Sequence, residues 1–104
     1  MQVLTDVRNI VKLIIRLRKI LAPRKLRVYD YFALLLIEET PGLCPKEIRQ
    51  ELVLLPAGVT RLLNHLESMG LIERQRGTDR RTVPCDLTKK GHLVISEIDR
   101  QFLA

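Results

Sequence analysis

Four arginines, Arg74, Arg76, Arg80 and Arg81, fall within eight residues of one another. Guanidinium groups at that density bind phosphate, and an arginine at the tip of such a segment suits the strong negative potential of a narrow minor groove. A second set, Thr60, Arg61 and Asn64 with Ala57 and Gly58 ahead of them, lies along a stretch of helical period whose other side is apolar. Hydroxyl, guanidinium and amide groups on one helix face are the donors and acceptors that read base edges. Lys46, Arg49, Lys89 and Lys90 complete the candidate phosphate contacts.

Other chemistry finds no footing. Cys44 and Cys85 lie far apart and lack CxxC spacing, and without a visible secretory signal two free thiols are expected. Cys44 precedes a helix start that could stabilise its thiolate, though a buried, inert thiol is the default. His65 and His92 have no partners at ligand spacing, so no metal or other cofactor is expected. The nearest carboxylate pairs, Glu38 with Glu39 and Glu47 with Glu51, suit surface or capping positions. With no nucleophile-base set and no phosphate-cradling glycine loop, the chain reads as a non-enzyme.

Hydrophobic period supplies the elements that must position these side chains. Residues 3–21 place Val3, Val7, Ile10, Ile14, Leu17 and Leu21 at alternating spacings of four and three, the seam of a packed helix pair. Leu4, Val11, Leu13, Ile15 and Ile20 widen the stripe, Arg8, Lys12, Arg16 and Lys19 form a basic row opposite, and Pro23 ends the helix. A second helix over 27–39 is apolar nearly all round (Val28, Phe32, Leu35, Leu36) and is therefore expected to be buried. Pro45 opens a short third helix with Ile48 and Leu52 inward and Lys46, Arg49 and Gln50 outward. A fourth spans 56–69, with Val59, Leu62, Leu63 and Leu66 inward and Gly70 as its stop. Strands at 71–76 and 82–87 then flank a polar hairpin loop, with Val83, Cys85 and Leu87 on one face and Pro84 marking an edge strand. Thr88 caps a last helix that turns Val94 or Ile95, Ile98 and Phe102 inward.

At 104 residues the chain is expected to be a single domain over 1–104, with an N-terminal dimerisation helix (1–22), a winged helix-turn-helix (27–87) and a C-terminal helix (88–104). Its 46% hydrophobic and 29% charged content excludes disorder and fibrous repeats. Tryptophan is absent and the aromatics are Tyr29, Tyr31, Phe32 and Phe102, too few for a base-stacking platform on single strands. The net charge of +6 calls for an acidic partner. Residues 1–27 carry eight bases against one acid, residues 28–70 three against six, and residues 71–104 seven against five. The apolar N-terminal stretch is broken by charges too often to span a membrane, and a cytoplasmic location is expected.

Helix, helix, short helix, turn, helix and basic hairpin form a winged helix-turn-helix, a mainly α (α+β) fold with a two-stranded wing and long N- and C-terminal dimerisation helices. A helix fits the ~12 Å major groove, and the hairpin can reach the next one. From about Leu26 to Ile95 the sequence resembles the MarR transcription regulators. The matching residues are Val59-Thr60-Arg61-Leu62-Leu63, Leu66-Glu67, Gly70-Leu71-Ile72-Glu73-Arg74, Asp79-Arg80-Arg81 and Leu87-Thr88-Lys89-Lys90-Gly91. The resemblance implies a homodimer on double-stranded DNA, with Asp79 paired to a wing arginine and Arg81, or Arg80 in its place, in the minor groove. It also allows a small-molecule effector, which the residues themselves do not support.

The chain departs from that family at Leu55-Pro56, where relatives carry a polar helix cap. Relatives also continue past the L-T-x-x-G helix, so the reading expects a short version in which the N-terminal helix supplies the dimer surface. The expected interface is Val3, Val7, Ile10, Ile14, Leu17 and Leu21 with Ile98 and Phe102. The expected function is sequence-specific transcription regulation, by repression. An architectural DNA-binding protein with little sequence preference and a winged-helix protein-interaction module are the alternatives.

Overall fold

Helix α1 (Gln2–Leu21) ends at a corner that its sequence dictates, in the computed structural model, which describes residues 2–75 and 83–104. Pro23 lies in a single 3-10 turn, Ala22–Arg24, and Lys25 then takes a left-handed conformation with φ of 59°. The Lys25 N–H donates to the Ala22 carbonyl (3.0 Å) and the Leu26 N–H to the Leu21 carbonyl (3.2 Å), which closes the turn. Only the last turn of α1 reaches the core. Leu21 is fully buried, Leu17 and Ile20 pack against it, and the apolar residues from Val3 to Ile15 stand in solvent.

Helix α2 (Val28–Glu39) starts on a buried carboxylate, the Arg27 N–H donating to Asp30 Oδ2 at 2.7 Å. It packs against α1 and the elements that follow, yet its expected all-round burial does not hold. Ala33, Leu34 and Ile37 form its core face, whereas Val28, Leu35 and Leu36 are half-buried and Phe32 is exposed. Tyr29 and Phe32 are three residues apart on one helical stripe and remain 51% and 44% exposed among the described residues.

Helix α3 (Pro45–Leu52) turns Ile48 and Leu52 inward, and α4 (Pro56–Ser68) buries Val59, Leu62, Leu63 and Leu66, as their period requires. Gly70, at φ of 73°, ends α4 with a paired set of bonds: Gly70 N–H to Glu67 O (2.9 Å) and Leu71 N–H to Leu66 O (3.0 Å).

Strands β1 (Ile72–Arg74) and β2 (Cys85–Leu87) pair antiparallel, with Ile72 opposite Leu87 and Arg74 opposite Cys85. Pro84 stands just ahead of β2, an outer strand of this two-stranded sheet, as its lack of an N–H donor requires. Cys85 also bridges to Leu43, donating to its carbonyl (3.0 Å) and accepting from Gly42 N–H (3.1 Å), so β2 lies between β1 and the α2–α3 loop.

Helix α5 (Lys89–Leu103) is held by the L-T-x-x-G segment. Thr88 Oγ1 accepts from Gly91 N–H (3.0 Å) and donates to Gly70 O, while the Thr88 N–H donates to Leu71 O (3.1 Å). A Cβ on Gly91 would stand 2.2 Å from the Leu71 carbonyl oxygen, so only glycine permits this approach. Further along, the Tyr31 hydroxyl bonds Asp99 and Arg24 pairs with Glu97 at 2.8 Å, tying α5 to α2 and the first corner. The result is an elongated body of 53 × 27 × 21 Å.

Candidate nucleic-acid interface

The outer face of α4 carries the residues singled out by type. Ala57, Thr60, Arg61, Asn64 and Ser68 are exposed, opposite the buried leucines. Thr60 donates its hydroxyl proton to Pro56 O (3.0 Å), leaving the oxygen as an acceptor and the methyl free to make contact. Arg61 makes no ion pair or hydrogen bond among the described residues, so its fork of donors is open. Gly58 is half-buried, and a Cβ there would meet only the Leu54 side chain at 3.7 Å.

Arg74 corrects an expectation. Its guanidinium donates to Glu67 Oε1 (2.9 Å) and to Asn64 Oδ1 (2.6 Å), with its side chain only 19% exposed. It is a strut from β1 to α4, already neutralised by a carboxylate, and its pKa is raised chiefly by the hydrogen bond to Glu67. By holding Asn64 Oδ1, the strut turns the amide N–H groups of Asn64 into the available end. Sequence reading missed Glu67 as the partner, although Glu67 and Asn64 lie three apart on one helix face.

Two other assigned cations also serve the fold. Lys90 Nζ donates to Met69 O (2.8 Å), capping the C-terminal end of α4 where the helix dipole favours positive charge, and is not the free phosphate contact expected of it. Arg49 Nε reaches Leu54 O (3.3 Å) across the α3–α4 turn, while the rest of its guanidinium faces outward. Lys46 and Lys89 are exposed. Arg76, Asp79, Arg80 and Arg81, the expected wing tip, lie outside the described residues.

His65 joins α4 to the corner after α1 by a bond from its Nε2 to Lys25 O (2.9 Å). Among the described residues no group of three or more His, Cys, Asp or Glu converges as a metal site. Cys44 has no stabilised thiolate. Burial, and then the Glu47 carboxylate, push its pKa up, which opposes the pull of the helix start.

The expected dimer residues divide. Val3, Val7, Ile10 and Ile14 are exposed, and Phe102 is half-buried beneath the Arg16 guanidinium, 4.9 Å from its ring centre. Leu21 and Ile98 are corrected, because both are fully buried in the chain's own core where α1 and α5 pack together. They are closed to a partner.

The outer face of α4 thus stands exposed beside the short helix α3 and the two-stranded ribbon. The MarR family model matches residues 29–83, more than half of the chain. The chain belongs to the MarR family. It is 38% identical over 72 residues to the HTH-type transcriptional regulator PapX of Escherichia coli, covering 68% of this chain and 44% of PapX. It is 49% identical over 47 residues to the uncharacterized HTH-type transcriptional regulator YwhA of Bacillus subtilis (strain 168), covering 44% of this chain and 34% of YwhA. The chain thus spans less than half the length of either of these curated relatives. Among solved structures it is similar to the transcriptional repressor CouR bound to a 23-mer DNA duplex. That match has a TM-score of 0.81 and 27% identity, over 96% of this chain and 71% of that one. These relatives are regulators and not enzymes, in agreement with the reading of the residues. No helix of the described residues is long and apolar enough to cross a membrane.

Proposed function

We propose that this MarR-family chain works as a homodimer that binds specific double-stranded DNA sites and represses transcription there. The observation that carries the reading is the outer face of α4, where Thr60, Arg61 and Asn64 stand in solvent on a helix braced by α3 and by the Arg74 strut. A helix so presented can enter a major groove, with Arg61 placed to donate two hydrogen bonds to a guanine. Lys46, Arg49 and Lys89 would hold phosphates beside it, and Arg76, Arg80 and Arg81 would add wing contacts. Repression follows if the occupied site overlaps a promoter.

Two chains are needed to set two recognition helices at groove spacing, and α1 offers the surface. Val3, Val7, Ile10 and Ile14 are 72%, 50%, 55% and 42% exposed, a continuous apolar stripe of the kind that marks an interaction site. With Leu21 and Ile98 assigned to the core, we place the dimer seam on residues 3–15 of α1, with Leu17 and Phe102 at its border.

A gel-shift titration against genomic fragments, with unlabelled competitor DNA in excess, tests this reading. Discrete fragments that stay bound are expected. Uniform coating that competitor removes would favour an architectural protein, and no binding would leave only a protein-interaction module.

A further inference from the structure

The turn into α4 contradicts what stability alone would select. Val53 closes α3 at φ of 53°, a left-handed conformation that a β-branched residue rarely adopts, and its side chain is 88% exposed. Two residues later Leu55 holds the cap position of α4, where an oxygen-bearing side chain would satisfy a backbone N–H. Leu55 makes no such bond and is 78% exposed. Pro56 and Ala57 continue the exposed apolar run, while Leu54, between Val53 and Leu55, packs on the core. Neither the fold nor solvation explains two large apolar side chains held in water here.

We propose that Leu55 and Ala57 determine sequence specificity by packing against thymine 5-methyl groups in the major groove. The inference rests on the DNA-binding reading above and adds the base that this end of the helix selects. The first residues of a recognition helix are those that meet base edges, and thymine's methyl is the one apolar group that the major groove presents. Position selects the occupant. This turn opens the helix whose outer face carries Thr60, Arg61 and Asn64, so its apolar side chains extend the base-reading surface proposed above, while Lys46, Arg49 and Arg61 are offset in number by Glu47, Glu51 and Glu67 and net charge alone makes no choice.

The test uses the full chain and the tightest duplex recovered from a random-sequence pool. Each thymine is replaced in turn by deoxyuridine, which keeps base pairing and removes only the methyl group. Affinity is expected to fall about fourfold at one or two positions, the equivalent of ~0.8 kcal/mol for one buried methyl-sized group. The Leu55→Ser variant, which gains a cap and so keeps its fold, should bind the thymine and uracil duplexes alike at a Leu55-contacted position. Tolerance of uracil everywhere would overturn the proposal, as would a Leu55→Ser protein that keeps the full sensitivity. A change in sedimentation of Leu55→Ser with unaltered DNA selectivity would overturn it in favour of a contact between copies. Failure of the wild-type chain to bind any duplex would remove the DNA reading itself, a result distinct from uracil tolerance.

Discussion

The Cys85 thiol shows how local packing sets chemistry at a single residue. It is fully buried on β2, and that burial outweighs the opposing pull of the Arg74 guanidinium. Its pKa is pushed up to about 11 from an ordinary value of 9.0, with Cys44, Asp86 and Glu67 adding smaller upward effects. The raised value belongs to the folded chain, so the neutral thiol is favoured by folding. Its contribution is fully present below pH 9 and is lost as pH rises toward 11, because the unfolded chain releases the proton first. Chemical denaturation across that window should show the wild type losing about 2–3 kcal/mol relative to Cys85→Ala. A constant difference between the two proteins would mean that Cys85 does not titrate in this way. Thr88 and Gly91 make a related point about motifs. Their hydroxyl and missing side chain lock α5 onto the α4–β1 turn, so the L-T-x-x-G pattern is a packing device and only indirectly a DNA-binding one.

Among the elements, α4 was the most legible from sequence and the ribbon the least. A period of three and four separates Val59, Leu62, Leu63 and Leu66 from Thr60, Arg61 and Asn64, so the buried and exposed faces follow from spacing alone. Arg74 could be placed on a strand but not paired, because its partners Asn64 and Glu67 are brought near only when β1 folds back along α4. The same holds for Cys85 and Leu43, whose bridge depends on where the α2–α3 loop comes to rest. Along α1 the apolar seam has no visible break, yet its last turn is core and the rest is exposed, a division made by the position of α5. The Arg74 strut is mostly shielded and joins two elements, so Arg74→Ala should lower stability by about 1–2 kcal/mol. Thermal unfolding should register this as a drop of ~4–15 °C. An unchanged midpoint, with weaker binding to all DNA sequences alike, would instead assign Arg74 to phosphate.

At the scale of the whole molecule, the long axis of 53 Å and the bare stripe on α1 point outward from a core that is already complete. Leu21 closes that core at the α1 corner, and His65 links the same corner to α4, so the orientation of a partner joined through α1 would pass to the recognition helix. Ile10→Asp with Ile14→Asp should therefore yield a folded monomer by sedimentation at micromolar concentration, with helix content kept. A wild-type chain that is monomeric under those conditions would contradict the dimer.

In the proposed dimer two copies present their α4 faces to successive turns of one duplex. A hydroxyl-radical footprint on a selected site would read this arrangement. Two protected segments related by a two-fold axis are predicted, with centres about one helical turn apart, ~10–10.5 base pairs. A single protected segment, or even protection along the whole duplex, would exclude that dimer arrangement.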